Sequence, residues 1–220
     1  MGANLRGECG ILIPAFNEEA TVASVIAVAQ GSGLGPVLVV DDGSSDATTE
    51  RALAAGAAVL TLTTNQGKGG AVFTGAETLK TEVVLLLDAD LINLKPSHLR
   101  ALAEPVMCGK ADVTRGVFTE GRWHTTAAQN LTPQLNGQRA MRRNDLLKLS
   151  EMKESGYGME IVISKAVKRN HWRLHDVEME GVSQVMKEEK RGFWQGMRVR
   201  FKMYGEVLET MVKGAIRRGR

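Results

Sequence analysis

Aliphatic runs, each closed by a polar cluster, punctuate the first half of the chain. "GILIPAF" (Gly10 to Phe16) is a short apolar run broken by proline, the pattern of a buried strand. Thr21, Val22, Val25, Ile26 and Ala29 then recur at helical spacing, and Gly31 stops them. "VLVV" (Val37 to Val40) predicts a second strand that runs into Asp41 and Asp42. Ser45 and Asp46 are alternative caps for a helix over "ATTERALAAG". "AAVLTLTTN" predicts a third strand, "GKGGAVFTGAETL" a glycine-opened helix, and "TEVVLLLDAD" a fourth strand. Strands alternating with helices predict βαβ units and a mostly parallel sheet. Near-continuous aliphatic strands agree, because helices cover both faces of such a sheet.

The second half is less regular. "PSHLRALAEPVMCG" predicts a helix after Pro96, and "ADVTRGVF" a strand. Residues 119–138 are polar and read as an irregular active-site segment. "GQRAMRRNDLLKLS" predicts a strand turning into a helix, and "GYGMEIVISKAVKRN" a helix. "WRLHDVEM" and "VSQVMKEE" are strand-like. Met197, Phe201, Tyr204, Leu208, Met211 and Ala215 alternate spacings of four and three, which predicts a C-terminal amphipathic helix. The expected organisation is one domain over 1–192, with halves 1–95 and 96–192, followed by a basic helix over 193–220.

Composition changes this picture little. With 220 residues, 43% hydrophobic and 24% charged, the chain reads as an ordinary globular protein able to build one sizeable core. Cys9 and Cys108 imply neither a disulfide framework nor a metal-ligand set, and a reducing cytosol is the default expectation. No signal peptide is visible, and no apolar run approaches the ~20 residues of a membrane span. Charge is uneven: Lys187 to Arg220 carries ten Lys/Arg against four Glu, so the remainder is net acidic although the whole is +3. That basic helix is expected either to dock on the core or a dimer partner, or to lie on an anionic membrane. Nucleic acid is not an expected partner, because no aromatic platform or recognition motif accompanies the charge.

The chemistry collects at the strand ends. In open α/β sheets, ligands bind outside the carboxyl ends of the strands. Three strands end there in polar clusters: "PAFNEE", "DDGSSD" and "DAD". Asp88 and Asp90 supply hard oxygen ligands without filling a coordination sphere. That suits Mg²⁺ or Mn²⁺ completed by a diphosphate.

"ILIPAFNEEATVASVI", "VLVVDDGSSDAT", "NQGKGGAVFTG" and "LLLDADL", in this order, resemble family 2 glycosyltransferases of the GT-A fold. The likeness is strong over residues 10–95. It continues weakly to about 192 through "LNGQRAMRR", "GYGMEI" and "GVSQVMKEEKRG". It points to polyprenyl-phosphate sugar synthases and to the glucosyl- and mannosyl-transferases that act on phosphoglycerate. The resemblance implies a nucleoside-diphosphate-sugar donor, with Pro14, Ala15, Asn17 and Glu18 lining the nucleoside pocket and Asp41 or Asp42 on the base or ribose. Gly67 and Lys68 would reach the diphosphate, and Asp88 and Asp90 would hold nucleotide and metal. Glu160 would be the base for the acceptor hydroxyl or a contact to the donor sugar. Gln138, Arg139 and Arg143, with Arg142 between them, are candidates for an anionic acceptor.

The phosphoglycerate-acting relatives place a histidine as third metal ligand after a "GV". Here that stretch is "GVSQVMK", with Gln184 nearest, so the third ligand and the stereochemical outcome stay open. The expected activity is metal-dependent transfer to a phosphorylated small molecule or a polyprenyl phosphate, in the cytoplasm or on its membrane face. The rivals are a sugar nucleotidyltransferase, whose glycine-rich N-terminal signature is replaced by "PAFNEE", and a non-catalytic nucleotide-binding scaffold. A Rossmann dehydrogenase is disfavoured, since no GxGxxG follows the first strand.

Overall fold

A computed structural model describes residues 6–118, 137–155 and 158–184. The predicted helix over 193–220 and most of the polar segment 119–138 lie outside the described residues.

The expected alternation is present. β1 (Arg6–Ala15), α1 (Val22–Gly31), β2 (Val37–Asp41), α2 (Thr48–Ala54), β3 (Ala58–Thr61), α3 (Gly67–Thr78) and β4 (Lys80–Leu86) follow in order. β5 (Leu91–Ile92), α4 (Pro96–Met107), β6 (Val113–Val117), β7 (Arg139–Arg142) and α5 (Arg143–Leu147) come next. A 3₁₀ turn (Ser150–Glu154), α6 (Met159–Arg169), β8 (Leu174–Glu178) and β9 (Ser183–Gln184) complete the described chain. No helix among the described residues is long and apolar enough to cross a membrane.

Seven strands form one sheet in the order β3-β2-β1-β4-β7-β6-β8. All of its pairs are parallel except β4–β7 and β6–β7, so β7 is the one reversed strand. This is the GT-A-like architecture expected, with β7 inserted between β4 and β6. Aliphatic alternation explains its two layers. Ile11, Ile13, Val37, Val39, Val83 and Leu85 pack against Val22, Val25 and Ile26 of α1 and Leu99, Leu102 and Val106 of α4. Leu12, Leu38, Val40, Val84 and Leu86 face Ala71, Val72 and Ala76 of α3 and Met159, Val162 and Ile163 of α6. Successive strand residues point to opposite faces, so a fully aliphatic strand serves both cores at once.

Local boundaries moved where polar groups found partners. Neither Ser45 nor Asp46 takes the N-cap position of α2, which falls to Ala47 with no side-chain cap; Asp46 Oδ1 accepts from Thr48 N at 3.0 Å just ahead of the helix, and Ser45 N donates to Asn17 Oδ1 at 2.9 Å. The fourth strand ends at Leu86, four residues earlier than predicted. Asp88 and Asp90 therefore sit in a turn, which leads into a two-stranded ribbon pairing Leu91 with Gln184 and Ile92 with Ser183.

Candidate active site

Parallel pairing of β1 with β2 and β4 brings their carboxyl ends to one edge, with Ala15 level with Asp41 and Leu12 level with Leu86. The loops beyond are stitched together. Asn17 takes a left-handed conformation (φ 56°), and its N–H donates to Ser44 Oγ at 2.9 Å. Glu18 N donates to Thr48 Oγ1 at 2.8 Å, and Thr21 Oγ1 donates to Glu18 Oε2 at 3.1 Å. Asn17 and Glu18 thus belong to a loop ahead of α1, beside Pro14 and Ala15 at the end of β1.

Asp41 and Asp42 are both buried. Asp41 accepts from Ser44 N at 2.9 Å and from the Thr49 hydroxyl, so it holds its own turn. Asp42 Oδ1 accepts from Gln66 N at 2.7 Å and ties β2 to the start of α3. Burial raises the Asp42 carboxyl above its usual range. The backbone N–H groups of Gln66 and Gly67 pull the other way, and Asp41 adds a smaller upward push. Gly67 opens α3 at φ 76°, a conformation that favours glycine.

Lys68, in the first turn of α3, is the hub. Its Nζ lies 2.6 Å from Asp88 Oδ1 and 2.6 Å from Glu160 Oε1. Asp88 follows β4 and Glu160 opens α6, so three elements distant in sequence converge on one ammonium. Burial disfavours the charged lysine, but the Asp88 and Glu160 carboxylates more than offset that and hold its pKa well above the ordinary value. The second oxygen of Asp88 accepts from Gln138 Nε2 at 2.9 Å and from Gln184 Nε2 at 2.7 Å. Gly137 closes over this pair: a β-carbon there would stand 2.4 Å from Lys68 Nζ and 2.6 Å from Asp88 Oδ1.

Gln184 reaches Asp88 because the β5–β9 ribbon carries it there. Asn93 (φ 57°) braces the ribbon, donating from Nδ2 to Gly181 O at 3.2 Å. The carboxylates of Asp88 and Asp90 are hard oxygen donors of the kind that suit Mg²⁺ or Mn²⁺, whereas Gln184 turns its amide nitrogen to Asp88. No group of three or more His, Cys, Asp or Glu side chains able to hold a metal ion exists among the described residues. A divalent ion held here by one or two carboxylates would fill the rest of its shell with water and ligand phosphate oxygens.

Of the three residues expected at an acceptor, Gln138 and Arg139 are buried beside Asp88 and Glu160, and Arg143 turns to the far end of α3. Gln138 has no exposed surface and donates to Asp88. Arg139 is likewise buried at 0% exposure. Burial lowers its pKa to about 10, with Glu160 opposing and Arg115, directly across the ladder, reinforcing the shift. A solvent-excluded guanidinium supports the site from beneath. Arg143 donates from Nε to Ala76 O at 2.6 Å and from Nη2 to Glu77 O at 3.3 Å. There it satisfies carbonyls in the last turn of α3, the end opposite Lys68, as basic groups at helix C-termini do. An open depression lined by Lys80, Glu82, Arg142, Arg143, Asp145 and Lys148 lies at this far end of β4.

Sequence reading missed Gly137 and the role of Gln138, whose only signal was a glycine in a polar stretch. It also missed Arg115, whose Nε and Nη2 clamp Asp176 of β8 at 2.8 and 2.6 Å beside Arg139.

The chain is 32% identical over 141 residues to glucosyl-3-phosphoglycerate synthase of Mycobacterium tuberculosis, covering 53% of this chain and 44% of that enzyme. It is 36% identical over 110 residues to undecaprenyl-phosphate 4-deoxy-4-formamido-L-arabinose transferase of Aeromonas hydrophila, covering 45% and 33%. It thus spans less than half the length of these curated relatives. A crystal structure of the mycobacterial synthase with Mn²⁺ and UDP-glucose superposes with TM-score 0.66 at 25% identity, covering 80% of this chain and 71% of that one. A phosphoglyceric acid complex of the same enzyme gives TM-score 0.75 at 24% identity over 94% and 79%, a likeness of fold. The model of glycosyl transferase family 2 matches residues 10–164, and the chain belongs to that family.

Proposed function

We propose that this protein transfers a sugar from a nucleoside-diphosphate sugar to a phosphorylated acceptor, with Mg²⁺ or Mn²⁺ as cofactor. The observation that carries the reading is Lys68 Nζ, held 2.6 Å from both Asp88 and Glu160 at the carboxyl edge of the sheet. Pro14, Ala15, Asn17 and Glu18 line the nucleoside side, with Asp42 at its base. Gly67 and Lys68 meet the diphosphate, and Asp88, Asp90 and Gln184 are assigned to the metal.

Charge supports the metal requirement. Asp88, Asp90 and Glu160 bring three negative charges against the two positive charges of Lys68 and Arg139. A diphosphate adds more negative charge, which a divalent ion offsets. When bound, the ion stabilises the charge that develops on the leaving nucleotide. Lys68 reaches the same phosphates from the first turn of α3, where the helix N-terminus adds its own partial charge. Glu160, 4% exposed and anchored at the start of α6, is assigned to the sugar or to the attacking hydroxyl of the acceptor.

Two acceptor chemistries fit the relatives: a small phosphate ester, as in the phosphoglycerate synthase, and a polyprenyl phosphate, as in the arabinose transferase. The basic segment 193–220 belongs to this reading as a contact to an anionic membrane surface in the second case.

A thermal-shift panel of nucleoside diphosphates and nucleotide sugars, with and without Mn²⁺, tests the donor site. A ligand at ~100-fold its dissociation constant adds about 2.7 kcal/mol. One nucleotide that shifts the melting temperature only with Mn²⁺, and no longer does so in Asp90→Asn, is the expected result. No shift with any nucleotide refutes the reading.

A further inference from the structure

Asp88 is crowded with donors. Lys68 Nζ sits 2.6 Å from Oδ1, while Gln138 Nε2 and Gln184 Nε2 reach Oδ2 at 2.9 and 2.7 Å. The backbone of Gly137 lies over the ion pair, so close that a β-carbon there would push Lys68 Nζ or the Asp88 carboxylate aside. The Asp88 side chain keeps only 14% of its surface and that of Lys68 only 19%. A carboxylate in this position has its counter-ion already, and it is the same lysine that a diphosphate would require.

We propose that Lys68 is an exchangeable internal counter-ion, handed from Asp88 to the donor diphosphate as a divalent cation takes its place at that carboxylate. This rests on the donor-site reading above and adds to it a thermodynamic coupling between cation and nucleotide.

Partner counting gives the physical reason. If Lys68 withdraws with no replacement, a nearly buried carboxylate loses its charge partner, which is costly. A cation arriving alone must displace the ammonium from Asp88, leaving it with Glu160 as its remaining ion-pair partner. A diphosphate arriving alone must draw Lys68 away and cost Asp88 that ion pair, leaving the neutral Gln138 and Gln184 donors in place. With both ligands present, each charge ends on an opposite charge, and neither penalty remains. The lysine suits this role: it is a point charge on a flexible four-carbon stem, free of the fixed fork geometry of arginine. Gly137 blocks its retreat on one face, so the ammonium has few alternative resting places. Cation and nucleotide should therefore bind synergistically, and by linkage each raises the affinity of the other by the same factor.

The test is a set of titrations with Mn²⁺ and UDP, using electron paramagnetic resonance for the ion and calorimetry for the nucleotide. Each ligand is measured alone and at saturation of the other, in wild type and in Lys68→Met. Wild type should bind Mn²⁺ weakly alone and much more tightly with UDP. Lys68→Met should bind Mn²⁺ alone about tenfold more tightly and UDP more weakly, with the coupling factor at least about tenfold smaller. Loss of a nearby positive charge would by itself tighten Mn²⁺, but it would leave the coupling factor unchanged. An unchanged factor, or weaker Mn²⁺ binding in the variant, overturns the exchange. Failure of wild type to bind either ligand overturns the donor-site reading and this inference with it.

Lys68→Met leaves Asp88 and Glu160 without their shared cation, so a second measurement uses the wild-type chain. The ammonium resonance of a buried, ion-paired lysine is observable in ¹⁵N-detected spectra. It should move little with Mg²⁺ or UDP singly and strongly with both. A resonance that moves fully with UDP alone overturns the proposal.

Discussion

Substituting Gly137 by alanine should weaken the protein and its donor site through a single methyl group. The new β-carbon would meet Lys68 Nζ at 2.4 Å and the two Asp88 oxygens at 2.6 and 2.7 Å. The ammonium must retreat by about 1 Å to reach ordinary contact distance. If that stretches the 2.6 Å ion pair to about 3.6 Å, the Coulomb attraction at an effective dielectric of ~20 falls by about 2 kcal/mol. Gly137 does not occupy the left-handed region, so alanine brings no backbone strain there. It returns roughly 0.4–1 kcal/mol by restricting the unfolded chain. The net loss is about 1–1.5 kcal/mol, or a drop of about 2–6 °C in melting temperature for a chain of this size. Calorimetric UDP affinity in Mn²⁺ should fall as well, because Lys68 and Asp88 are displaced together. A variant with wild-type melting temperature and wild-type UDP affinity would refute the close approach of Gly137 to the ion pair.

Glu160→Gln keeps the shape and loses the charge. It should leave UDP affinity within about threefold of wild type and lower kcat by about 100-fold or more. Normal turnover in a coupled UDP-release assay would remove Glu160 from the chemistry. Cys9 is buried, and burial pushes its thiol up to about 12, whereas Cys108 is exposed. A native thiol titration at pH 8 should therefore modify one cysteine promptly and the second only after unfolding; two fast equivalents would contradict the burial. Because the folded Cys9 thiol holds its proton above the unfolded pKa of 9.0, its contribution to stability is complete below pH 9 and is lost as pH rises towards 12. Cys9→Ala should show a shallower loss of urea midpoint over that interval.

The first half of the fold was legible because its signals are local. Ile11, Leu12 and Ile13 read as a strand buried on both faces, and Val22, Val25, Ile26 and Ala29 as one helical face. β1, β2 and β3 each pair with a strand two elements away, and β4 returns to the other side of β1, so the short-range alternation of strands and helices builds a parallel sheet. The loops carrying Asn17, Asp42 and Asp88 follow those strands and could only gather at one edge.

The acceptor half behaved differently. "GQRAMRR" reads as a basic strand whose arginines alternate in and out, and nothing in its own pattern says which neighbours it acquires. The reversed insertion of β7 between β4 and β6 set Arg139 against Leu86 and Arg115, under the site and out of solvent. It turned Arg143 towards the carbonyls of α3. Gln138 fell onto Asp88 for the same reason.

Residue type and spacing alone established a parallel α/β sheet, a polar carboxyl edge and the chemical identity of its groups, since burial pattern and donor type are properties of the chain itself. The meeting of Lys68 with Asp88 and Glu160, the cover that Gly137 lays over them and the delivery of Gln184 by the β5–β9 ribbon arose only on folding. Each joins residues many positions apart in the chain, and contacts of that kind are chosen by the packing of whole elements, on which no local stretch of sequence has a vote.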